Sequence, residues 1–314
     1  MQEPVGPPFL DASPGEHRRR CGWGRERQSV MQVSKHRWMR SASEYHICAS
    51  PSRGRRLATR GGSAALRSAV TAVAGLWLSA LASLPAVAEP RHAAVVVDAN
   101  SGAVLHQEQA DAERFPASLT KMMTLYMVFE LIERRKLDYR TRIAVSETAA
   151  AASPTKLGLD PGDTIALGDA VRSLITKSAN DMAVAIAEHI GQSERGFAQM
   201  MTERARQIGM ARTTFRNASG LPNPAQVTTA RDLLKLALRL QDDFPKHYQL
   251  FSTRYFSYEG STFRNHNTLL HRFQGTDGIK TGYTRASGFN LVTSVRRGGR
   301  HVIGVVLGGR TASR

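Results

Sequence analysis

The chain contains three short motifs whose residue types suit acyl transfer through a serine. In chain order they are Ser118-Leu-Thr-Lys121, Ser178-Ala-Asn180 and Lys280-Thr281-Gly282. A neutral lysine amine can accept the proton of a serine hydroxyl, and an amide or a second hydroxyl can then orient the reacting groups without adding charge. Ser-x-x-Lys alone is expected about once by chance in a chain of this size. The motifs are therefore informative only through their order along the chain and the elements in which they lie.

The first motif supplies the predicted nucleophile and its base. Ser118 opens the longest predicted helix, residues 118–136, which is apolar around almost its whole circumference and is therefore predicted to be buried. Residues three apart share a helix face, so the amine of Lys121 can reach the hydroxyl of Ser118. Burial, together with the second cation Lys280, should lower the pKa of Lys121 and let it act as a base.

The second motif lies in a predicted short break between two apolar helices. Asn180 is predicted to orient either Lys121 or the substrate amide, and Ser178 to relay a proton to the leaving amine. The third motif precedes a predicted C-terminal strand. Together the three motifs predict a nucleophile, a base, a proton relay and a cation in one site.

A near copy of the first motif, Ala-Ser153-Pro154-Thr-Lys, lies further along the chain. Proline pushes the residue before it out of the helical region, so Ser153 and Lys156 need not share a helix face. The following Gly-Leu-Asp-Pro-Gly-Asp also breaks any helix. We therefore predict that Ser118, and not Ser153, is the nucleophile.

Strands are predicted at both ends of the folded part, with helices between them. A hairpin is predicted over 93–107 and another over 288–309, around a basic Arg-Gly-Gly turn. The region 141–168 is predicted to be loops and short turns. Helices are predicted over 169–177, 181–191, 196–209 and 230–243. This order predicts an α+β domain in which the terminal hairpins meet in one antiparallel sheet flanked by helices.

The first part of the chain differs from the rest in composition. Residues 1–62 are rich in arginine and lack a sustained period, which predicts a disordered or mis-started basic leader. Residues 63–88 have the charged, apolar and small-residue order of a signal peptide, with a short membrane anchor as the alternative. Residues 89–314 are then the catalytic domain, exported to the periplasm or cell envelope. The sequence does not support membrane association after cleavage, and it leaves membrane anchoring open.

Charge and cysteine content exclude several functions. Both cysteines, Cys21 and Cys48, lie before residue 89, so the exported part is predicted to have no disulfide and no thiolate site. No metal-ligand spacing is present, and no cofactor is predicted. The formal net charge of +17 is partly carried by the arginine-rich leader, and the remaining basic residues are scattered. This pattern mainly indicates a solvated basic surface; as a partner, an anionic lipid or wall polymer is favoured over nucleic acid.

The motifs and their flanking segments resemble the low-molecular-weight penicillin-binding proteins that act as D-alanyl-D-alanine carboxypeptidases. The flanking segments are VVDANSGAVL, PASLTKMMT, SANDMAVAIAEHIG, TDGIKTGYT, GFNLVTS and GGRT, within about residues 92–313. The resemblance implies a fold like that of β-lactamases and transpeptidases. It also implies removal of the terminal D-alanine of peptidoglycan stem peptides ending in D-Ala-D-Ala, through an acyl-enzyme on Ser118. β-Lactams would then be covalent inhibitors.

The same resemblance implies a set of substrate-binding residues. They are Lys280, Thr281, Gly282, Tyr283 and Arg310. Thr281 and an arginine are implied to bind the terminal carboxylate of the substrate, with Arg310 the better match and Arg264 a weaker one. The backbone N–H groups of Ser118 and Tyr283 are implied to form the oxyanion hole.

Three alternatives remain open from the sequence. A class A β-lactamase is disfavoured because no glutamate after Asn180 stands in a Glu-x-x-Leu-Asn setting. A D,D-endopeptidase would use the same residues and differ only in cleft width. The chain is also expected to lack a final helix and any C-terminal domain of such proteins, so an inactive truncated fragment is the third alternative.

Overall fold

A computed structural model describes residues 91–311 of the chain. The predicted leader (1–62) and the predicted signal peptide (63–88) lie outside the described residues. The predictions for those two segments are therefore not tested by the fold.

A five-stranded antiparallel sheet runs through the described part, in the order β2-β1-β9-β8-β7. Its strands are β1 (Ala93–Asp98), β2 (Val104–Glu108), β7 (Thr276–Thr284), β8 (Gly288–Arg297) and β9 (Arg300–Gly309). Because β1 pairs with β9, the N-terminal and C-terminal hairpins meet in one sheet, as the sequence predicts. Lys280 precedes the C-terminal hairpin, as predicted, and lies within the edge strand β7, which the sequence did not predict.

Alternation of side chains places one face of this sheet in the core. Along β9, His301, Ile303, Val305 and Leu307 are buried and the residues between them are half-buried. The helix α6 (Ala230–Asp243) packs against β9 and β1 on the buried face. Strands β1 and β9 are thus held on a packed layer.

Eight α-helices occur within residues 91–311. They are α1 (Lys121–Glu133), α2 (Glu147–Ala151), α3 (Leu167–Thr176), α4 (Asn180–Gly191), α5 (Glu194–Gln207), α6, α7 (Pro245–Tyr248) and α8 (Leu269–Arg272). Every residue of α1 from Lys121 to Phe129 is buried, which confirms the prediction of a buried central helix. This helix contacts α4, α5 and α6, so the site at its start is attached to the most enclosed element of the fold.

Two small antiparallel ribbons were not predicted. β3 (Arg142–Ala144) pairs with β4 (Thr164–Ala166), and β5 (Tyr255–Tyr258) pairs with β6 (Ser261–Arg264). The region 141–168 therefore contains a ribbon and the helix α2 where loops were expected. Each strand of the first ribbon has three residues, too few for a periodic pattern, and the pair is fixed by burial of one isoleucine on each side.

Within residues 91–311, no helix has both the length and the apolar character required to cross a lipid bilayer.

Candidate active site

Ser118 lies in a single 3₁₀ turn, Ala117–Thr120, immediately before α1. The prediction placed it inside the α-helix. The difference arises because the preceding residue, Ala117, has a left-handed φ of 47° that no regular helix contains. Side chains three apart in a 3₁₀ turn lie one above the other, so the predicted proximity is retained. The Nζ atom of Lys121 lies 3.3 Å from the Oγ atom of Ser118.

Two glycines enclose the backbone of this turn. A Cβ atom on Gly282 of β7 would lie 2.9 Å from the Ser118 nitrogen. On Gly220, whose φ is +85°, a Cβ atom would lie 1.9 Å from the Ala117 carbonyl oxygen. Only glycine permits such close approaches of backbone to backbone. The turn that carries Ser118 is therefore fixed between β7 and the segment that contains Gly220.

The amine of Lys121 is fully buried and has three polar neighbours. Its Nζ donates to Asn180 Oδ1 at 2.7 Å and to the Ser219 carbonyl oxygen at 2.6 Å, and the third neighbour is the Ser118 hydroxyl. Burial, and then the charge of nearby Lys280, hold the pKa of Lys121 well below its usual range. An amine in this state can accept a proton at neutral pH.

Asn180 is the first residue of α4, and the near-copy segment holds it in place. The Asn180 side-chain Nδ2 donates to the Ser153 carbonyl oxygen at 3.0 Å, and its backbone N–H donates to the Thr155 carbonyl oxygen at 2.6 Å. The first N–H groups of a helix have no partner within it, so this contact satisfies one of them. The segment with Ser153 thus contributes backbone oxygens, a contribution that the sequence analysis missed.

Ser178 lies in the predicted break between α3 and α4. Its φ of 61° is left-handed, and the residue is 4% exposed. Its Oγ atom has no hydrogen-bond partner among the described residues. The Ser178 hydroxyl is therefore not held by a neighbouring side chain or backbone group among the described residues.

Lys280 is the second buried lysine of the site, with 2% exposure. Its Nζ donates to the Thr281 carbonyl oxygen at 3.1 Å, and burial lowers its pKa to about 7. Further along β7, Tyr283 is 56% exposed, and its ring centroid lies 4.5 Å from that of Phe289. The strand therefore carries a buried amine at one position and an exposed tyrosine three residues later.

The two arginine candidates lie in different places. Arg310 is exposed and directly follows Gly309, which lies opposite Phe289, and Phe289 lies opposite Tyr283. Tyr283, Phe289 and Gly309 thus lie side by side on three adjacent strands, and Arg310 is the residue directly after Gly309. Arg264 ends β6, whose only paired strand is β5 among the described residues. Binding of a substrate carboxylate by either arginine stays a prediction.

The segment that bears Ser219 was missed as part of the site. Asn217 Oδ1 accepts the Gly220 N–H at 2.8 Å, the Thr124 hydroxyl donates to the Ala218 carbonyl oxygen at 2.8 Å, and Glu194 accepts the Ala218 N–H at 3.0 Å. The Asn-Ala-Ser-Gly sequence signals a turn. No local pattern, however, links this turn to a lysine far earlier in the chain.

No group of three or more His, Cys, Asp or Glu side chains within residues 91–311 is arranged to hold a metal ion.

The chain is similar to proteins of one known family. The family model described as D-alanyl-D-alanine carboxypeptidase matches residues 82–311. D-alanyl-D-alanine carboxypeptidase DacC of Escherichia coli (strain K12) is 35% identical over 224 residues, which cover 69% of this chain and 56% of that protein. The chain thus spans little more than half the length of this curated relative.

Two solved structures extend the likeness to the fold. Penicillin-binding protein 5 from Haemophilus influenzae superposes with a TM-score of 0.67 at 33% identity, covering 70% of this chain and 65% of that one. Penicillin-binding protein D2 from Listeria monocytogenes, in its cefotaxime-bound form, gives a TM-score of 0.65 at 29% identity, covering 73% and 94%.

The antiparallel sheet with its flanking helices, and the serine and lysine motifs collected beside it, define a low-molecular-weight penicillin-binding protein. Since the family model matches well over half of the chain, this protein belongs to the D-alanyl-D-alanine carboxypeptidase family.

Proposed function

We propose that the protein is a serine-type D-Ala-D-Ala carboxypeptidase that removes the terminal D-alanine from peptidoglycan stem peptides through an acyl-enzyme on Ser118. The observation that carries this proposal is the environment of Lys121. A fully buried amine 3.3 Å from a serine hydroxyl, with two carbonyl-type acceptors, suits a general base. Membership of the carboxypeptidase family supports the choice of substrate.

In the proposal Lys121 is a neutral amine, which has two N–H groups and one lone pair. The N–H groups make the two short hydrogen bonds, to Asn180 Oδ1 and to the Ser219 carbonyl oxygen. The lone pair then accepts the hydroxyl proton of Ser118, whose Oγ atom lies 3.3 Å from Nζ. As the proton moves to Nζ, the Oγ atom attacks the carbonyl carbon of the penultimate D-alanine.

The tetrahedral intermediate places a negative oxygen beside the nucleophile turn. In the proposal, the backbone N–H groups of Ser118 and Tyr283 stabilise this oxygen. The Ser178 hydroxyl passes a proton, which comes from Lys121, to the leaving nitrogen. D-Alanine departs with its amine restored, and the ester on Ser118 remains. Water then attacks the ester, and its proton returns through Lys121, so that the free serine is regenerated.

The terminal carboxylate of the substrate requires cationic partners. Lys280, Thr281 and Arg310 are proposed to bind it, together with the backbone of Gly282 and Tyr283. A pKa of about 7 keeps a substantial fraction of Lys280 protonated near neutral pH, and a bound carboxylate raises that fraction. Lys121, whose pKa is lowered in part by Lys280, is therefore proposed to be the neutral member of the pair.

β-Lactams are the proposed covalent inhibitors. A β-lactam carries a carboxylate and a reactive carbonyl, and ring opening by Ser118 gives an ester that we expect to persist. The Listeria relative was solved with cefotaxime bound. We also propose export to the periplasm or cell envelope, where stem peptides occur; the signal-peptide pattern over 63–88 supports this location.

D-Alanine release from a diacyl-Lys-D-Ala-D-Ala peptide by the purified protein tests the activity. The Ser118→Ala variant should release none, while Ser153→Ala, altered at the same position of the near-copy motif, should release D-alanine like the unaltered protein. Cleavage of a cross-linked peptide dimer without release of terminal D-alanine would instead establish the endopeptidase. Release of D-alanine by the Ser118→Ala protein would refute the assignment.

A further inference from the structure

Asn290 is a buried amide near the start of β8. Asparagine is disfavoured in strands, and this one is only 3% exposed, so its polar atoms require partners within the protein. Its Nδ2 group donates to the carbonyl oxygens of Phe115 and Pro116, at 2.9 and 3.1 Å. Its Oδ1 atom accepts the Gly308 N–H at 3.0 Å. All three partners are backbone groups.

The position of Asn290 coincides with an irregularity of the sheet. The register between β8 and β9 shifts between Phe289 and Leu291. At this bulge the extra residue belongs to β9, so that Leu307 and Gly308 face the single residue Asn290 of β8. The Asn290 side-chain oxygen accepts the N–H of Gly308. The other end of the same amide leaves the sheet and holds the two carbonyl groups that come before the nucleophile turn.

The other neighbour of Asn290 is the proposed oxyanion hole. Across the β7–β8 pair, Asn290 lies opposite Gly282, the residue before Tyr283. Gly282 in turn touches the Ser118 nitrogen so closely that no Cβ atom would fit between them. One side chain therefore connects the strand that carries the Tyr283 N–H with the turn that carries the Ser118 N–H.

We propose that Asn290 is a positioning residue that fixes the backbone N–H of Ser118 relative to that of Tyr283 and so sets the geometry of the oxyanion hole. The inference rests on the proposed function, in which these two N–H groups stabilise the intermediate. Asn290 acts through Phe115 and Pro116 and does not touch the substrate. Misplacement of catalytic groups by about 1 Å can cost about a hundredfold in rate, so a clamp of this kind affects the chemical step.

Two substitutions test whether Asn290 positions these N–H groups. Asn290→Asp keeps the shape and removes the amide donors, and Asn290→Ala removes all three hydrogen bonds without adding charge. The matched control is Gln241→Glu, which makes the same amide-to-acid change at a side chain that is bonded to Ser294 of the same strand. Ser294 lies four residues, or about 13 Å, along β8 from Asn290.

The measurement is acylation by a β-lactam, from which the non-covalent affinity and the acylation rate constant are obtained separately. The number of active sites is titrated with labelled penicillin, and rates are expressed per titrated site. Both Asn290 variants should lose about tenfold or more in the rate constant with little change in affinity. Gln241→Glu should keep the rate constant of the unaltered protein, even where its melting temperature falls. Because rates are expressed per titrated site, a small folded fraction is sufficient for the test.

A rate constant per titrated site that equals that of the unaltered protein in both Asn290 variants would overturn the inference, since a merely structural role lowers only the number of sites. Equal losses in Gln241→Glu would also overturn it. Failure of the proposed function looks different, because the unaltered protein itself would then not be acylated at Ser118.

Discussion

The close approach of β7 to the nucleophile turn predicts the effect of one added methyl group at Gly282. In Gly282→Ala the new Cβ atom would lie 2.9 Å from the Ser118 nitrogen and 3.2 Å from the Ala117 Cβ atom. Ordinary contacts begin near 3.4 Å, so the strand and the turn must separate by about 0.5 Å. The turn cannot yield easily, because Gly220 contacts the Ala117 carbonyl oxygen on its other side.

This separation gives a defined expectation. If about 1 Å of misplacement costs about a hundredfold, about 0.5 Å should slow acylation of Ser118 roughly tenfold. Overpacking of this kind should also lower the free energy of unfolding by about 1 to 3 kcal/mol. Stopped-flow acylation by a chromogenic cephalosporin measures the first effect, and urea unfolding measures the second.

Gly304→Ala is the matched control on the same sheet. A Cβ atom there meets only Thr293 and Val96 side-chain carbons, at 3.7 and 3.9 Å, so it fits without movement. We expect its acylation rate to be unchanged and its stability to be unchanged or raised by up to about 1 kcal/mol. If Gly282→Ala acylated as fast as Gly304→Ala, the close approach of β7 to the nucleophile turn would not matter for catalysis.

Three further substitutions give distinct outcomes. Lys121→Arg leaves a group that stays protonated and cannot serve as a base, so acylation should slow about 10²- to 10⁴-fold in stopped-flow assays; a rate near that of the unaltered protein would exclude Lys121 as the base. Lys280→Gln removes a cation that lowers the pKa of Lys121, while Asp181 and Glu194 still raise that pKa. The acid limb of the acylation pH profile should therefore move to higher pH. A shift to lower pH would contradict the electrostatic coupling of the two lysines. Tyr126→Phe removes a 2.6 Å hydrogen bond to an aspartate remote from the site and should cost about 1 to 2 kcal/mol in urea unfolding with unchanged acylation; a slower acylation would show that the site depends on this contact.

Local chemistry explains which features could be predicted from the sequence. The proximity of Ser118 and Lys121 follows from a spacing of three residues, and the terminal hairpins follow from alternation and turn residues. The ribbon β3–β4 could not be predicted, because three-residue strands carry no period and depend on tertiary burial.

Long-range contacts explain what was missed. The Ser219 carbonyl oxygen and the Asn290 amide reach the site from distant parts of the chain, through bonds to backbone atoms that no local pattern encodes. The segment with Ser153 shows the same limit. Pro154 correctly indicates that Ser153 and Lys156 need not share a helix face. Nothing in the segment's sequence, however, indicates that its carbonyl groups hold Asn180.

Peptide mass spectrometry after reaction with benzylpenicillin identifies the nucleophile. We expect a single penicilloyl adduct, on the peptide that contains Ser118. The adduct should be absent from the Ser118→Ala protein and fully retained in Ser153→Ala. An adduct on any other residue, or one that persists in the Ser118→Ala protein, would contradict the assignment of Ser118 as the nucleophile.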